Sequence, residues 1–175
     1  ESQRKFMGTL WNTYAFFVLY AEIDKFNPLE HNLKDQKLTI MDKWILSGLN
    51  TLIKTVDEGL AEYKITETSR AIGDFVDVLS NWYVRRSRER FWGSDMTKNK
   101  EAAYTTLYTV LATLSKILAP FTPFLAEEMY QNLVRNFDKN APESVHLCSF
   151  PIADESMIDP RLEEGMGNVL KLVVL

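Results

Sequence analysis

Cysteine is almost missing from this chain of 175 residues, where Cys148 stands alone. A single thiol excludes a disulfide framework and any zinc site built from several cysteines. It fits a reducing compartment, so a cytoplasmic setting is expected. Histidine is nearly as scarce, with only His31 and His146. His146 and Cys148 are two apart and would share a face on an extended segment, but no further Cys or His could complete a metal site with them. They read as a structural or solvated pair. The seven glycines show no spacing that would cradle a phosphate. Long apolar runs are absent too: the longest, Ala15 to Ala21, falls far short of the roughly 18 residues a membrane span needs. No signal-peptide pattern opens the chain. Lys and Arg number 20 against 24 Asp and Glu, a net charge of −4, so nonspecific attraction to nucleic acid should be modest. The 46% hydrophobic and 25% charged content is ordinary globular usage and excludes a disordered chain. The sequence begins at Glu1 without a Met and ends at Leu175 inside an apolar run, and reads as a piece of a longer protein.

What is present is helical periodicity, with almost no strand-like alternation. Phe6, Leu10, Tyr14, Phe17 and Ala21 make the buried stripe of a first helix over about 2–25, stopped at Asn27-Pro28. A second helix starts near Thr39, an N-cap with Asp42 at the capping-box position, and buries Ile45, Leu49, Leu52, Val56 and Leu60. The short Tyr63-Lys64 join predicts that the next helix packs antiparallel to it. That third helix runs over about 66–92, with Ile72, Phe75, Leu79 and Trp82 inward and Gly73 in its middle. A fourth spans about 98–118 on Leu107, Val110, Leu111, Leu114 and Ile117, and a fifth about 123–135 after Ala119-Pro120. Residues 144–150 look extended, and Pro160 opens a further helix. The expected fold is therefore all-α, an antiparallel helix bundle of about five helices over 1–150, with 151–175 as the truncated start of a C-terminal region.

Little here suggests catalysis, and no catalytic residues are assigned. Glu127 and Glu128 are adjacent on a helix and point about 100° apart, so they would not share a proton. One is expected to face solvent and the other to pair with a buried cation. The segment that stands out is 81–92, Asn-Trp-Tyr-Val-Arg-Arg-Ser-Arg-Glu-Arg-Phe-Trp. Four arginines and one glutamate lie between Arg85 and Arg90, interleaved with Trp82, Tyr83, Phe91 and Trp92. Guanidinium forks suit phosphates, and neighbouring rings suit unstacked RNA bases. Continued at 100° per residue, the core stripe passes through Trp82, Arg86 and, less well, Arg90. Arg86 is thus expected to be buried against Glu127 or Glu128, whereas Arg85 and Arg88 face outward, toward RNA or solvent.

The same residues resemble the signature of the anticodon-binding domain of class I aminoacyl-tRNA synthetases, in the subgroup for branched aliphatic amino acids, with the isoleucyl members the best match. Three more stretches agree in the family's order: Met41-Asp42-Lys43-Trp44-Ile45-Leu46-Ser47; Leu118-Ala119-Pro120-Phe121-Thr122-Pro123-Phe124-Leu125-Ala126-Glu127-Glu128; and Ser144-Val145-His146-Leu147 followed by Phe150-Pro151. Leu10-Trp11-Asn12-Thr13-Tyr14-Ala15-Phe16-Phe17 looks like the helix that follows the family's catalytic domain. The family's nucleotide-binding motifs and editing insertion do not occur here, so this piece alone would not activate an amino acid.

The resemblance implies a parent enzyme that joins isoleucine to its tRNA using ATP and magnesium, with zinc bound elsewhere in some members. This piece itself would take no cofactor. Its implied partners are the anticodon arm of tRNA and the catalytic domain of the same chain, with no membrane. Arg85 and Arg88, with Arg90 less directly, would contact phosphates or bases. Asn12 stands where related synthetases place an anticodon-reading asparagine, and Phe16, one turn on, is a stacking candidate. For Asn12 the alternative is a solvated helix face, and for Phe16 it is core packing. At the level of function the alternatives are a valyl or leucyl relative, or a helical protein-interaction module. With its small net charge, the piece by itself is expected to bind tRNA weakly.

Overall fold

The computed structural model describes residues 2–174. Helix α1 spans Ser2–Ile23, α2 Ile40–Ala61, α3 Ile65–Val78, α4 Arg85–Trp92, α5 Lys98–Leu118, α6 Pro123–Tyr130 and α7 Pro160–Val174. Successive helices α1, α2, α3–α4, α5 and α6 alternate in direction, as the contacts along them require. Phe17 packs on Tyr104 and Asp24 meets Lys100, so α1 and α5 run antiparallel. Asp42 meets Arg90 near the start of α2, whereas Gly48 touches Phe75 and Gly59 abuts Thr68. No strand forms among the described residues, and no helix is long and apolar enough to cross a membrane.

The stripes read from spacing form the core. Leu107, Val110, Leu111, Leu114 and Ile117 of α5 are all 0% exposed, which makes α5 the central rod. Each such side chain contributes roughly 1.5–3 kcal/mol through the apolar surface it removes from water. Thr39 and Asp42 form the expected capping box at the start of α2. The chain stops α1 earlier than Asn27-Pro28 would. Lys25 takes a left-handed conformation (φ 52°), and the Phe26 N–H donates back to the Ala21 carbonyl at 2.8 Å. Tyr63 (φ 58°) ends α2 in the same way, with the Lys64 N–H on the Gly59 carbonyl at 2.8 Å. In both turns the returning amides satisfy carbonyls that the helix leaves free.

Between α3 and α4 the helix is continuous but winds as a π-helix over Leu79–Val84. A π turn takes in an extra residue and rotates everything after it relative to an α-helix. Past Leu79 the fully buried positions are therefore Tyr83, Val84, Ser87 and Phe91, while Trp82 and Arg90 are half-buried and Arg86 is exposed. A second π turn, Gln131–Arg135, continues α6. Residues 144–150 are not the extended segment the spacing suggests. Ser144 caps a 3-10 turn at Val145–Leu147, its hydroxyl accepting from the His146 N–H at 3.2 Å. Beyond it, α7 and the turn before it lie along α2. Asn50 accepts from the Asp154 N–H at 2.8 Å, Thr51 donates to Glu163 at 2.9 Å, and Ser47 also reaches Glu163.

Two helix glycines separate backbone need from convenience. A Cβ on Gly59 would sit 2.3 Å from the Thr68 hydroxyl, which is itself bonded to the Lys64 carbonyl. A Cβ on Gly73 would meet nothing within 4 Å. Gly59→Ala is expected to cost about 1–3 kcal/mol through overpacking. Gly73→Ala should add about 0.5–1 kcal/mol by removing backbone freedom from the unfolded chain. Urea unfolding of both variants checks the opposite signs.

Candidate nucleic-acid interface

The π turn decides which arginines face outward. Around α4, Arg85, Arg86 and Arg88 are exposed together with Glu89 and Trp92. Arg85 and Arg88 thus point out, as their spacing predicts. Arg86 does not behave as predicted: it is solvent-facing, its guanidinium 5.8 Å from the centre of the half-buried Trp82 ring, and Glu127 and Glu128 are not its partners. Glu127 instead accepts from Gln131 (2.7 Å), the Ser144 hydroxyl (2.8 Å) and the Val145 N–H (2.9 Å). Burial pushes its carboxyl up, but these three donors more than offset that and hold it below the ordinary range. Glu128 is exposed, as expected of one of the two. The cation pairing expected of the other is not there.

Arg90 is committed elsewhere. Its fork makes two bonds to the fully buried Asp42, Nη1 to Oδ1 at 2.7 Å and Nη2 to Oδ2 at 2.9 Å, and Nη2 also donates to the Asn99 carbonyl at 3.0 Å. Tyr83 donates to the same Asp42 at 2.7 Å. Arg90 is therefore withdrawn from the RNA-contacting set, because a fork bonded on both arms to a buried carboxylate has no free edge for a phosphate. Burial raises the Asp42 carboxyl, and the bonds from Arg90, Tyr83 and the Thr39 backbone win, leaving it below the usual carboxylate value. Arg90 itself is held above its ordinary value despite burial, and Tyr83 is pushed well up by burial and the adjacent carboxylate.

A second buried lock holds the other flank. Lys100, 2% exposed, lies 2.6 Å from Asp24 and donates to the Gly93 carbonyl at 2.5 Å, while Tyr104 donates to Asp24. Burial and the bond to Asp24 raise the Tyr104 hydroxyl far above its usual value. The first lock ties α4 to the start of α2, and the second ties the end of α1 to the turn after α4. Between them, α4 cannot roll without breaking a buried charge pair.

On the α1 side the structure brings Phe16 and Arg88 together. The Arg88 guanidinium sits 5.9 Å from the Phe16 ring centre. Phe16 is half-buried, edge-on to Phe91 at 5.3 Å and tilted against Tyr20 at 4.8 Å, so it is anchored to the core at the edge of the surface. Asn12 is exposed one turn earlier on the same face of α1. Arg85 lies one turn before Arg88 on α4. The result is a rigid shelf with a ring and guanidiniums presented as flat surfaces, an amide at one end, and three exposed arginines against one exposed glutamate. Arg86 and Trp92 are exposed members of this surface that α-helical spacing does not assign. His146 is exposed and Cys148 half-buried. Among the described residues no three His, Cys, Asp or Glu side chains converge as metal ligands.

The whole chain aligns with the isoleucine–tRNA ligase of Clostridium novyi (strain NT), 61% identical over 176 residues that make up 17% of that protein. It is 57% identical to that of Clostridium tetani (strain Massachusetts / E88), again over all of this chain and 17% of the relative. With the enzyme of Dehalococcoides mccartyi (strain CBDB1) it shares 54% over 172 residues, 98% of this chain and 17% of the relative. The chain thus spans about a sixth of the length of the relatives it matches. Residues 42–174 match the family described as the anticodon-binding domain of tRNA ligase, so this chain belongs to the family of tRNA-ligase anticodon-binding domains.

Proposed function

We propose that the chain is the part of an isoleucine–tRNA ligase that grips the anticodon arm of its tRNA through the shelf formed by α1 and α4. The observation that carries this reading is the exposed Arg88 guanidinium lying over the half-buried Phe16 ring, with Asn12 one turn away. Unpaired loop bases can splay out and stack on aromatic or guanidinium planes. Arg88, lying over Phe16, can offer its outer guanidinium plane to a base, and the contacts of Phe16 with Phe91 and Tyr20 fix the tilt of the ring beneath it. Arg85 supplies a free fork for a phosphate. The Asn12 amide can donate and accept at one base edge. Arg86, with Trp82 beneath it, extends the cationic surface toward α2. Rigid helices keep these groups at fixed spacing, so little ordering is needed on binding.

The reaction of the parent, joining isoleucine to tRNA at the expense of ATP, belongs in this proposal to the rest of a longer chain, whose catalytic domain is the second partner, in a cytoplasmic setting. The residues here do not fit ATP, magnesium or zinc. No glycine spacing forms a phosphate loop, and no metal-ligand cluster exists among the described residues. No chemical step is assigned to them.

Titrating the full-length ligase with its tRNA at several salt concentrations tests the proposal. Arg88→Ala should weaken binding on the order of tenfold, and if the lost contact is to a phosphate the slope of log K against log salt should fall by about one. Unchanged affinity together with an unchanged slope contradicts it.

A further inference from the structure

Stability does not account for the buried lysine of α5. Lys100 sits in the first turn of its helix, where the free N–H groups disfavour a cation. Thr97 already caps that end, its hydroxyl accepting from the Lys100 N–H at 3.2 Å. Replacing a buried ion pair by apolar side chains of similar volume is often neutral or stabilising, so the core does not need this charge. What apolar side chains could not do is grip backbone. The Lys100 ammonium donates to the Gly93 carbonyl, just past the end of α4, and Asp24, 2.6 Å from the same ammonium, directly follows α1. The turn from Gly93 to Thr97 is exposed at every position, so apolar packing does not hold the end of α4 there. The cluster therefore ties together the C-terminal ends of α1 and α4, the two helices that carry the shelf.

Tyr104 carries that constraint outward. Its hydroxyl donates to Asp24, and the Lys100 ammonium lies 5.9 Å from its ring centre. The ring stacks on Phe26 at 4.9 Å with 17° between the planes, and Phe91 meets it edge-on at 4.8 Å. Phe16 in turn meets Phe91 edge-on at 5.3 Å, and the Arg88 guanidinium lies over Phe16. Edge-to-face pairs are an electrostatically favoured arrangement. Tyr104 is 0% and Phe91 1% exposed, and an interior this closely packed transmits strain instead of absorbing it. A shift of the Tyr104 ring therefore displaces Phe91, and with it Phe16 and the guanidinium that rests on it.

We infer that Tyr104, anchored by Asp24 and Lys100, is a positioning residue for tRNA recognition, holding the Phe16 ring and the Arg88 guanidinium in the arrangement that receives an anticodon base. The inference rests on the reading that α1 and α4 grip the anticodon arm. A double-mutant cycle in the full-length ligase tests it. Asp24→Asn/Lys100→Met releases the Gly93 carbonyl and leaves no member of the buried pair charged. The KM for tRNA should rise about fivefold, less than the roughly tenfold expected from losing Arg88 itself, with kcat and isoleucine-dependent ATP–pyrophosphate exchange within about twofold of wild type. Made in the Arg88→Ala background, the same pair of substitutions should change KM by less than about twofold, because residues acting through one contact are not additive whereas independent sites are. Tyr104→Phe keeps the ring and removes only the donor to Asp24, so it disturbs folding less, and it should show the same pattern with a rise of about threefold, the worth of one hydrogen bond. An unchanged KM in both variants, or the same rise with and without Arg88, overturns the inference. Loss of amide protection along α5 in both variants overturns it too, since the cluster would then serve folding alone. If Arg88→Ala by itself leaves KM unchanged, the anticodon reading falls and takes this inference with it. If Arg88→Ala raises KM and the cycle is additive, this inference falls alone.

Discussion

Replacing Asp42 with alanine is expected to remove about 3–5 kcal/mol of folding stability, the usual cost of stranding one member of a buried charge pair. Asp42 is 0% exposed and serves four groups: the Arg90 fork, the Tyr83 hydroxyl, the Thr39 N–H and the Thr39 hydroxyl. Its loss leaves the half-buried guanidinium without a counter-charge and strips the capping box from α2, a further cost of about 1 kcal/mol within that total. The double variant Asp42→Leu/Arg90→Met should recover part of the loss, since no charge is then left unpaired. The pH dependence has a fixed sign. The carboxyl is held below its unfolded value of about 3.9, so its contribution is complete above that value and is lost as pH falls through the lower folded one. Unfolding free energies measured from pH 7 down to pH 3 should therefore draw closer for wild type and Asp42→Ala once the pH falls below the unfolded value. A constant gap across that range contradicts the assignment.

The largest functional effect is expected from Arg85→Ala/Arg88→Ala in the full-length ligase. Both side chains are exposed and neither makes an ion pair among the described residues, so their removal should not disturb folding. Each lost contact to nucleic acid is worth about 1–3 kcal/mol, so kcat/KM for charging tRNA should drop at least tenfold. Isoleucine-dependent ATP–pyrophosphate exchange, which needs no tRNA, should stay within twofold of wild type. If tRNA charging also stays within twofold, these arginines do not contact it. Arg86→Ala is the informative companion. It lies on the α2 side of α4, and its effect measures how far the contact surface extends past Trp82.

Much of the bundle could be read from spacing because helical amphipathicity is local. The stripes of α2 and α5, the Thr39–Asp42 capping box and the break at Ala119-Pro120 all follow from residues within a few positions of one another. The π turn at Leu79–Val84 does not. Tyr83 and Val84 are buried because α2 and α5 fill the space on their side, and the extra residue is the price of keeping both inside. Every position after it shifts, which is why Arg86, on the stripe extrapolated from Leu79, is exposed and Phe91 is buried. Lys100 did carry a local signal: it shares the phase of Tyr104, Leu107 and Leu111, and a lysine on an apolar stripe requires an acid. That the acid is Asp24 depends on how α1 packs on α5. Likewise Arg88 reads from spacing as outward, but that it lies over Phe16 follows only from the placement of α4 beside α1.

The most direct measurement is a base-by-base chemical footprint of the cognate tRNA bound to the full-length ligase, compared with the Arg85→Ala/Arg88→Ala variant at concentrations that saturate both. Wild type should shield bases in the anticodon loop, and the variant should re-expose those bases while leaving protection of the acceptor end intact. Equal anticodon-loop protection in the two proteins, or none in either, would contradict the claim that α1 and α4 present these side chains to that loop.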